Sequence, residues 1–368
     1  MLKVCSVMSA LFVIMTGAMS AADEPFVAHA TAETESVPHQ EDAADDPSIW
    51  LHPLEPEKSL LVLTDKKGGL MVCGLDGRKR QYIDGMLPNN VDVGYGFQLG
   101  GKAVDIAVVS DRQSMTVKTF AIDTDTGTLR DITAPKPAPV IDDLYGICLY
   151  RSESTGGFYA FVTCKSGEVH QLALNDDGAG AVSSEVVRTL QLSSQAEGCV
   201  ADSFHKALYV AEESVALWKF DAEPDGQKEP LAMVDQPMPK GHFTPDLEGL
   251  AIFHGEEGAG YLIASSQGDN RYLVYRREGD NTYLGSFTLA GKDTVDDTTH
   301  TDGLDVIASS LGSAYPQGLF IAQDDDNSGQ PQNFKMTPWQ HIAGAFQPAL
   351  DANPLYNPRD KSMSPANP

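Results

Sequence analysis

Residues 60–77, LLVLTDKKGGLMVCGLDG, contain two short apolar runs, and a glycine-containing turn follows each of them. Leu60, Val62 and Thr64 lead into residues 66–69, and residues 70–72 lead into residues 76–77. Apolar runs of this length, bounded by Gly, Asp and Lys, predict β-strands joined as hairpins. This stretch therefore predicts an antiparallel sheet.

The same pattern continues from about residue 45 to residue 325, and no linker interrupts it. Few stretches have the period of an amphipathic helix. Long all-β chains with frequent turns form barrels, sandwiches or propellers. A propeller is favoured for a chain of 368 residues, because radial blades add strands without enlarging a single sheet. No fixed-period repeat is visible, so the periodicity leaves the number of blades open.

Acidic side chains outnumber basic ones, with 52 Asp and Glu against 26 Lys and Arg and a formal net charge of -26. Many of the acids lie in Gly- and Pro-containing stretches between the apolar runs. Carboxylates gathered on loops repel one another unless a hard cation holds them, and such oxygen-rich sites suit Ca²⁺ better than Zn²⁺. Solubility also accounts for part of this charge. Nucleic acid is excluded as a partner, because phosphate backbones need clustered Lys and Arg.

The first residues have the features of a secretory signal. Lys3 precedes a mostly apolar run over residues 4–19, and Ser20, Ala21 and Ala22 are small enough for cleavage. We therefore expect a signal peptide at residues 1–22 and a secreted or periplasmic protein that has no membrane attachment after cleavage. A single membrane anchor is the alternative, although the apolar run is short for one.

We expect residues 23–349 to form a single domain. Residues 350–368 contain four prolines and are predicted to be a C-terminal tail outside the core. Four cysteines, Cys73, Cys148, Cys164 and Cys199, follow the signal segment, and four cysteines allow three disulfide pairings. Cys148 and Cys164 flank a turn and could face each other across a hairpin, but buried free thiols are an equal alternative.

Two short motifs are rejected. Residues 268–272, GDNRY, match a string found in dinuclear metallophosphatases, but the histidine motifs of that class are missing. Residues 324–329, DDDNSG, resemble the start of an EF-hand loop. The twelfth position of that loop is Lys335, where a bidentate Glu is needed, so only a looser ion contact remains open there.

The acidic stretches resemble the β-propeller phytases, which are alkaline, calcium-dependent phytate phosphatases. Residues 42–50, DAADDPSIW, are similar to the opening signature of that family. Further similar strings follow in the family's order at residues 64–70, 89–92, 104–107, 145–146, 197–202, 208–213, 218–226, 244–250, 264–268, 301–303 and 332–336. The resemblance covers roughly residues 30–345. It implies an all-β fold, a six-bladed β-propeller with calcium sites at one mouth of the central channel.

The resemblance also implies which residues form the site. It assigns a set of carboxylates to several Ca²⁺ ions: Glu33, Asp45, Glu197, Glu213, Asp246, Glu248, Asp296 and Asp302. Of these, it gives catalytic roles to Glu197, Asp246, Glu248 and Asp296. The substrate-binding side chains that it implies are Lys66, Arg112, Tyr145 and Lys165. If residues 246–248 form a strand, Asp246 and Glu248 lie on the same face, because they are two residues apart.

The implied activity is calcium-dependent hydrolysis of the phosphomonoester bonds of phytate, in which a water activated by the metal attacks phosphorus. Bridging cations explain how so acidic a chain binds a hexakisphosphate, because they hold the carboxylates and the phosphates together. We expect a monomer whose partner is the small molecule calcium-phytate. The alternatives are a non-catalytic calcium-binding propeller and a propeller hydrolase that acts on another ester.

Overall fold

The computed structural model describes residues 24–135 and 141–360, so the predicted signal peptide lies outside the described residues. Within those ranges the strands form six sheets, and each sheet is one blade of a β-propeller. The predicted all-β fold and six blades are confirmed. Within the same ranges, the helices are too short or too polar to cross a membrane.

The first four blades follow one another along the chain, and each has four antiparallel strands. Two short strands precede them, β1 (Phe26–His29) and β2 (Ala32–Glu33). Blade 1 contains β3 (Ala44–Trp50), β4 (Leu60–Asp65), β5 (Gly69–Gly74) and β6 (Lys79–Asp84). Blade 2 contains β7 (Pro88–Leu99), β8 (Lys102–Asp111), β9 (Thr116–Ile122) and β10 (Leu129–Asp131). Blade 3 contains β11 (Leu144–Arg151), β12 (Phe158–Cys164), β13 (Glu168–Asp176) and β14 (Val182–Gln191).

The later blades continue this order. Blade 4 contains β15 (Ala196–Asp202), β16 (Ala207–Glu212), β17 (Ala216–Asp221) and β18 (Ala232–Asp235). Blade 5 contains β19 (Leu247–His254), β20 (Gly260–Ser266), β21 (Arg271–Arg276) and β22 (Tyr283–Ala290). Blade 6 contains β23 (Leu304–Ile307), β24 (Leu319–Asp324) and β25 (Asn333–Pro338). The short helices of the described ranges are α1 (Trp339–Ala343) and the 3₁₀ turns Pro56–Lys58, Glu256–Gly258 and Gln267–Asp269.

The N-terminal strands close the ring. Blade 6 receives its fourth strand from β2, which pairs antiparallel with β25, with Glu33 opposite Lys335. β1 pairs in parallel with β22 and adds a fifth strand to blade 5. Main-chain hydrogen bonds of β1 and β2 therefore close the ring without a covalent link.

The hydrophobic core is divided among the interfaces between neighbouring blades. Between blades 6 and 1, for example, Leu61 and Met71 pack in one cluster with Ile321 and Phe334. Comparable clusters lie at the other five interfaces of the ring. Both faces of each sheet are covered in this way, which explains why the middle strands are apolar throughout rather than alternating.

The first strand of each blade lines the central channel. These six strands, β3, β7, β11, β15, β19 and β23, contact one another in a closed ring. They run in the same direction, so their first residues lie at one mouth of the channel and their last residues at the other. Asp45, Glu197 and Glu248 lie at the starts of their strands, and His254 lies at an end. The predicted site residues on these strands therefore share one mouth.

The described part of the C-terminal segment packs against the propeller. Tyr356 stacks on His254 with ring centroids 4.6 Å apart. Arg359 pairs with Asp105 and donates to the carbonyl of Leu51. Residues 350–360 thus lie against the opposite mouth of the channel, which differs from the tail expected for residues 350–368. The difference arises because Tyr356 and Arg359 find partners on the propeller, which the proline-rich composition of the segment does not predict.

All four cysteines of the described ranges are buried free thiols. Cys148 on β11 is in register with Phe161 on β12, whereas Cys164 is in register with Leu144. Three residues along a strand separate the two cysteines by roughly 10 Å, which is too far for a disulfide. The free-thiol alternative is the one that the structure supports.

A buried ion pair joins blades 4 and 5. Arg277 donates from Nε and from one terminal nitrogen to the two oxygens of Asp202, at 2.6 and 2.7 Å. Burial alone raises the pKa of Asp202, but the hydrogen bonds and charge of Arg277 bring it below its usual value. We expect Arg277→Met to lower the free energy of unfolding by about 3–5 kcal/mol, because it leaves a buried carboxylate unpaired.

Urea denaturation followed by tryptophan fluorescence measures this change. Arg276→Met is the matched control, since Arg276 is exposed and pairs only loosely with Glu278, at 3.6 Å. A surface pair of this kind contributes about 0–1 kcal/mol. Equal losses in the two variants would contradict the assignment.

Candidate active site

Four glycines, Gly146, Gly198, Gly249 and Gly303, bring the first strands of blades 3, 4, 5, 6 and 1 close together at one mouth of the channel, and a Cβ on Gly303 would lie 2.6 Å from the carbonyl oxygen of Asp45. A Cβ on Gly146 would lie 2.0 Å from the carbonyl oxygen of Glu197, and one on Gly198 would lie 2.0 Å from that of Glu248. A Cβ on Gly249 would lie 2.7 Å from the carbonyl oxygen of Asp302. Only glycine permits these approaches. In the acid-glycine pairs of the sequence, the glycine thus allows neighbouring strands to pack closely, and this packing brings the carboxylates of the pairs near one another at the mouth.

Three of the predicted carboxylates meet at this mouth. Glu197, Glu213 and Glu248 are buried, and one oxygen from each lies within 4.8 Å of the others. Burial is the main cause that raises the pKa of each of these groups, and the neighbouring carboxylates raise it further. Such a group of acids is costly to keep charged unless a cation is shared among them.

Asp45, Asp302 and Asp246 extend this cluster. Burial raises the pKa of Asp45 to about 8, and burial with the charge of Asp45 raises that of Asp302 to about 7. Asp246 comes directly before β19, accepts a hydrogen bond from Ser214 at 2.9 Å and acts electrostatically on Glu213 and Glu248. We call these six residues the mouth cluster: Asp45, Glu197, Glu213, Asp246, Glu248 and Asp302.

The mouth cluster fits calcium in its donor atoms. Oδ1 of Asp45 and Oε2 of Glu248 are buried and have no hydrogen-bond partner in the described ranges. A buried carboxylate oxygen without a partner loses its hydration and gains nothing in return. The available donors are all oxygens, which is the set that Ca²⁺ prefers. The residues present therefore suit the predicted ion.

Lys66 forms ion pairs with carboxylates of the mouth cluster. Its Nζ lies 3.1 Å from Asp45, 2.9 Å from Asp302 and 2.6 Å from Asp42. Burial lowers the pKa of Lys66, but the charges of Asp45 and Asp302 outweigh burial and raise it above its usual value. Lys66 therefore keeps its charge. Arg112 lies beside it and donates to the Lys66 carbonyl at 3.2 Å.

Tyr145 and Lys165 lie near Glu197 and Glu213 of the mouth cluster. Nζ of Lys165 lies 4.5 Å from the centre of the Tyr145 ring, a cation–π contact. Burial is the main cause that raises the pKa of Tyr145, and the charges of Glu197 and Glu248 add to it. The four predicted substrate-binding side chains thus flank the mouth cluster.

Two predicted residues lie in a separate cluster on blade 6. The fully buried Nζ of Lys335 contacts Asp296, lies 2.8 Å from Glu33 and lies 3.1 Å from Asp324. Burial raises the pKa of Asp296, but hydrogen bonds from Lys335 and Ser328 lower it below its usual value. The sequence-based set is therefore divided in two, with Glu33 and Asp296 in what we call the Lys335 cluster.

Sequence reasoning missed several residues of these two clusters. Asn89 donates to Oε1 of Glu197 at 2.6 Å, and Gln267 donates to Oδ1 of Asp302 at 2.7 Å. Asp42, Asp324 and Lys335 were also not assigned. Asn89, Asp42 and Lys335 lie within the strings that carried the family resemblance, so the signal was present. The rejected EF-hand match at residues 324–329 coincides with the Lys335 cluster, although Lys335 itself occupies its centre.

Comparison with known proteins agrees with this geometry. A family model described as Phytase matches residues 2–363. The chain belongs to the phytase family. This phytase is 45% identical over 344 residues to the 3-phytase of Bacillus subtilis (strain 168), covering 91% of this chain and 89% of that protein. The family predicted from the sequence is confirmed. A luciferin-regenerating enzyme aligns with a TM-score of 0.51 at 12% identity, covering 82% of this chain and 94% of that one, which concerns the fold alone.

The stability of the metal-free phytase is expected to fall as pH rises from 5 to 8. Asp45 and Asp302 have pKa values raised to about 8 and about 7, so the folded state binds more protons than the unfolded state across this range. Their contribution is present below pH 4 and is lost as pH rises through the folded values. Melting temperatures in chelator at pH 5, 6.5 and 8 measure the effect.

Asp45→Asn is expected to flatten this dependence, because the amide does not titrate. Added calcium should stabilise the wild-type protein more at pH 8 than at pH 5, since metal ligands must be deprotonated. A metal-free melting temperature that rises steadily from pH 5 to 8 would contradict the buried-acid description of the mouth.

Proposed function

We propose that this phytase hydrolyses phosphomonoester bonds of phytate (myo-inositol hexakisphosphate), releasing orthophosphate and lower inositol phosphates in a calcium-dependent reaction. The observation that carries the proposal is the convergence of three buried glutamates and Lys66 at one mouth of the propeller. Carboxylates at a phosphate-binding site make sense only if cations lie between them and the substrate. The similarity to the Bacillus 3-phytase supports the same substrate.

Calcium would be held in two places. The mouth cluster supplies Glu197, Glu213, Glu248, Asp45, Asp246 and Asp302, and the Lys335 cluster supplies Glu33 and Asp296 with Asp324 as a further donor. When bound, calcium supplies positive charge for the phosphate oxygens and lowers the pKa of a nucleophilic water. We assign Glu197, Asp246 and Glu248 to catalysis at the mouth. For Asp296 we propose cation binding in the Lys335 cluster, because its carboxylate contacts Lys335 and Ser328 rather than the residues of the mouth cluster.

The chain's own cations would position the substrate. Lys66 is held by Asp42, Asp45 and Asp302, so its Nζ is fixed at the edge of the mouth cluster and can act as a point charge on a phosphate. Arg112 offers a planar guanidinium, which suits bidentate phosphate contacts. Lys165 and Tyr145 lie near Glu213 and Glu197 and would hold a neighbouring phosphate. A substrate with adjacent phosphates would therefore bind better than a simple monoester.

The cellular location belongs to the same proposal. We propose that residues 1–22 are removed as a signal peptide and that the protein acts as a monomer in the periplasm or the medium. N-terminal sequencing of the exported protein tests the cleavage, and a mature N-terminus before residue 20 or after residue 24 would contradict the assigned boundary.

The test of function is calcium-dependent phosphate release from phytate beside release from p-nitrophenyl phosphate. We expect release from phytate and much weaker release from the monoester. Glu197→Gln, purified in parallel, controls for a contaminating phosphatase, because only the true activity should disappear with it. No release from either substrate would favour a non-catalytic calcium-binding propeller. Preference for the monoester would favour a hydrolase of another ester.

A further inference from the structure

A histidine–aspartate pair lies beside the proposed substrate site, and none of the roles assigned above includes it. Nδ1 of His39 lies 2.7 Å from Oδ2 of Asp65, whose carboxylate is fully buried at the end of β4. The hydroxyl of Tyr82 donates to the same oxygen at 2.8 Å, and the main-chain N–H of Lys67 donates to Oδ1 at 3.2 Å. Three donors thus hold Asp65 in one orientation, and Asp65 holds the imidazole.

The pair determines which ring nitrogen is available. An ionised carboxylate only accepts hydrogen bonds, so Nδ1 of His39 carries a proton and donates it to Asp65. Nε2 has no hydrogen-bond partner in the described ranges, and the His39 side chain is 44% exposed. Nε2 donates when the ring is protonated and accepts from a monoprotonated phosphate when the ring is neutral. Both states complement a phosphate group.

The backbone around the pair leaves space for the imidazole. A Cβ on Gly68 would lie 2.2 Å from Cε1 of His39 and 2.6 Å from the Tyr82 hydroxyl. The glycine of the β4–β5 turn therefore lets the imidazole approach the hairpin backbone closely, while 44% of the side chain stays exposed.

The pair is adjacent to the cations of the proposed site. Residues 34–43, between β2 and β3, carry His39, and two residues that follow it contact the β4–β5 turn. The main-chain N–H of Lys66 donates to the carbonyl of Ala43 at 2.7 Å, and Nζ of Lys67 donates to the carbonyl of Gln40 at 2.8 Å. Lys66 itself reaches Asp42 and the mouth cluster. His39 thus lies on a segment that contacts the turn carrying Lys66, one of the proposed substrate-binding residues.

We propose that His39 is a further substrate-binding residue, whose Nε2 contacts a peripheral phosphate of a polyphosphorylated inositol while the phosphate undergoing hydrolysis lies deeper in the mouth. Asp65 is its positioning residue. This inference rests on the proposed function. The pair would favour highly phosphorylated substrates, because a monoester bound at the mouth has no second phosphate to reach His39.

The experiment measures binding and turnover separately. Binding of myo-inositol hexasulfate, a polyanion that the enzyme cannot hydrolyse as a phosphate, is followed by calorimetry in saturating calcium at about pH 5.5, because a sulfate carries no proton and can only accept from the Nε2 of a protonated ring. We expect His39→Ala to weaken this binding about tenfold, the range of a charge-assisted hydrogen bond at a partly exposed position. KM for phytate should rise by a similar factor, with kcat within about twofold and with KM for p-nitrophenyl phosphate unchanged.

Further variants separate this role from a structural one. His39→Gln keeps a donor near the position of Nε2 and should recover part of the affinity, and Asp65→Asn should cause an intermediate loss. His170→Ala, at a half-buried histidine on blade 3, is the matched control. Hexasulfate binding by His39→Ala within twofold of wild type would overturn the proposal. Equal losses for hexasulfate and for the monoester, together with a lower melting temperature, would also overturn it by making His39 a structural tie.

The two proposals fail in different ways. Wild-type protein that releases no phosphate from phytate, but binds hexasulfate in a His39-dependent manner, would refute the hydrolytic function and support the polyanion contact. If the wild-type protein hydrolyses phytate and His39→Ala leaves both KM for phytate and hexasulfate binding unchanged, the function would be supported and the contact refuted.

Discussion

Excess chelator is expected to abolish phosphate release from phytate, by at least about a hundredfold, and to lower the melting temperature by about 10 °C. The physical cause is the same for both effects. Glu197, Glu213 and Glu248 bring their oxygens within 4.8 Å of one another in a buried place, so the folded protein without cations is electrostatically unfavourable. Ions that bind only the folded state stabilise it by mass action.

Returning calcium should restore both activity and melting temperature, and magnesium should restore less. Magnesium demands a smaller octahedral shell and gives up its water reluctantly, whereas calcium accepts several carboxylates in irregular geometry. Phosphate release and differential scanning calorimetry on the same samples provide the two readouts. Undiminished phytase activity in excess chelator would refute the calcium-dependent function, and an unchanged melting temperature would refute the two predicted cation clusters.

Glu248→Gln is expected to reduce turnover of phytate by at least about a hundredfold while making the metal-free protein more stable. Glu248 is buried among Glu197, Asp302, Glu213 and Asp246, and its Oε2 has no hydrogen-bond partner in the described ranges. Burial and these charges raise its pKa well above the usual value. Glutamine has the same shape and no charge. It therefore relieves repulsion in the empty site and removes a ligand from the loaded one.

The matched control is Glu223→Gln, also a buried glutamate. Its carboxylate accepts hydrogen bonds from Tyr150, Ser152 and Ser154, which hold its pKa below the usual value despite burial. Neutralising it should lower stability and leave turnover within about twofold. The two variants and the wild type are compared by their melting temperature in chelator at pH 8 and by their turnover of phytate in calcium. A metal-free Glu248→Gln protein less stable than wild type, or one with near-normal turnover, would contradict the ligand assignment.

These two glutamates illustrate why the same residue type has opposite effects in one chain. The sequence presents both as acids next to strands. Only the neighbours supplied by other blades determine that one is surrounded by hydroxyl donors and the other by carboxylates. A buried carboxylate that accepts hydrogen bonds from hydroxyl groups stabilises the fold. A buried carboxylate among other carboxylates destabilises the fold, and its role is to bind a ligand.

The blade count could not be read from periodicity for a reason that the topology explains. Blade 6 draws three strands from the end of the chain and its fourth, β2, from residues 32–33, and β1 adds a fifth strand to blade 5. Sequence repeats are blurred where a blade is assembled from distant segments. The family resemblance supplied the number that the spacing of strands alone left open.

The sequence also could not show that the predicted carboxylates form two separate clusters. Glu33 and Asp296 belong to the same family pattern as Glu197 and Glu248, but they surround Lys335 on blade 6. Side chains that share a family pattern do not thereby share a metal. The cluster that each carboxylate joins depends on the blade, and on the edge of that blade, at which the side chain lies.

The sequence by itself determined the strands, the turns and the identity of most acidic and basic residues at the mouth. Hydrophobic runs and turn residues act through near neighbours in the chain. The acid-glycine pairs belong to strings that resemble a known family. Both kinds of signal can therefore be recognised in the sequence. The tertiary structure decided the closure of the ring, the packing of residues 350–360, the two clusters and the His39–Asp65 pair. Those features depend on side chains far apart in sequence, and their energies arise only when blades bring them within a few ångströms of one another.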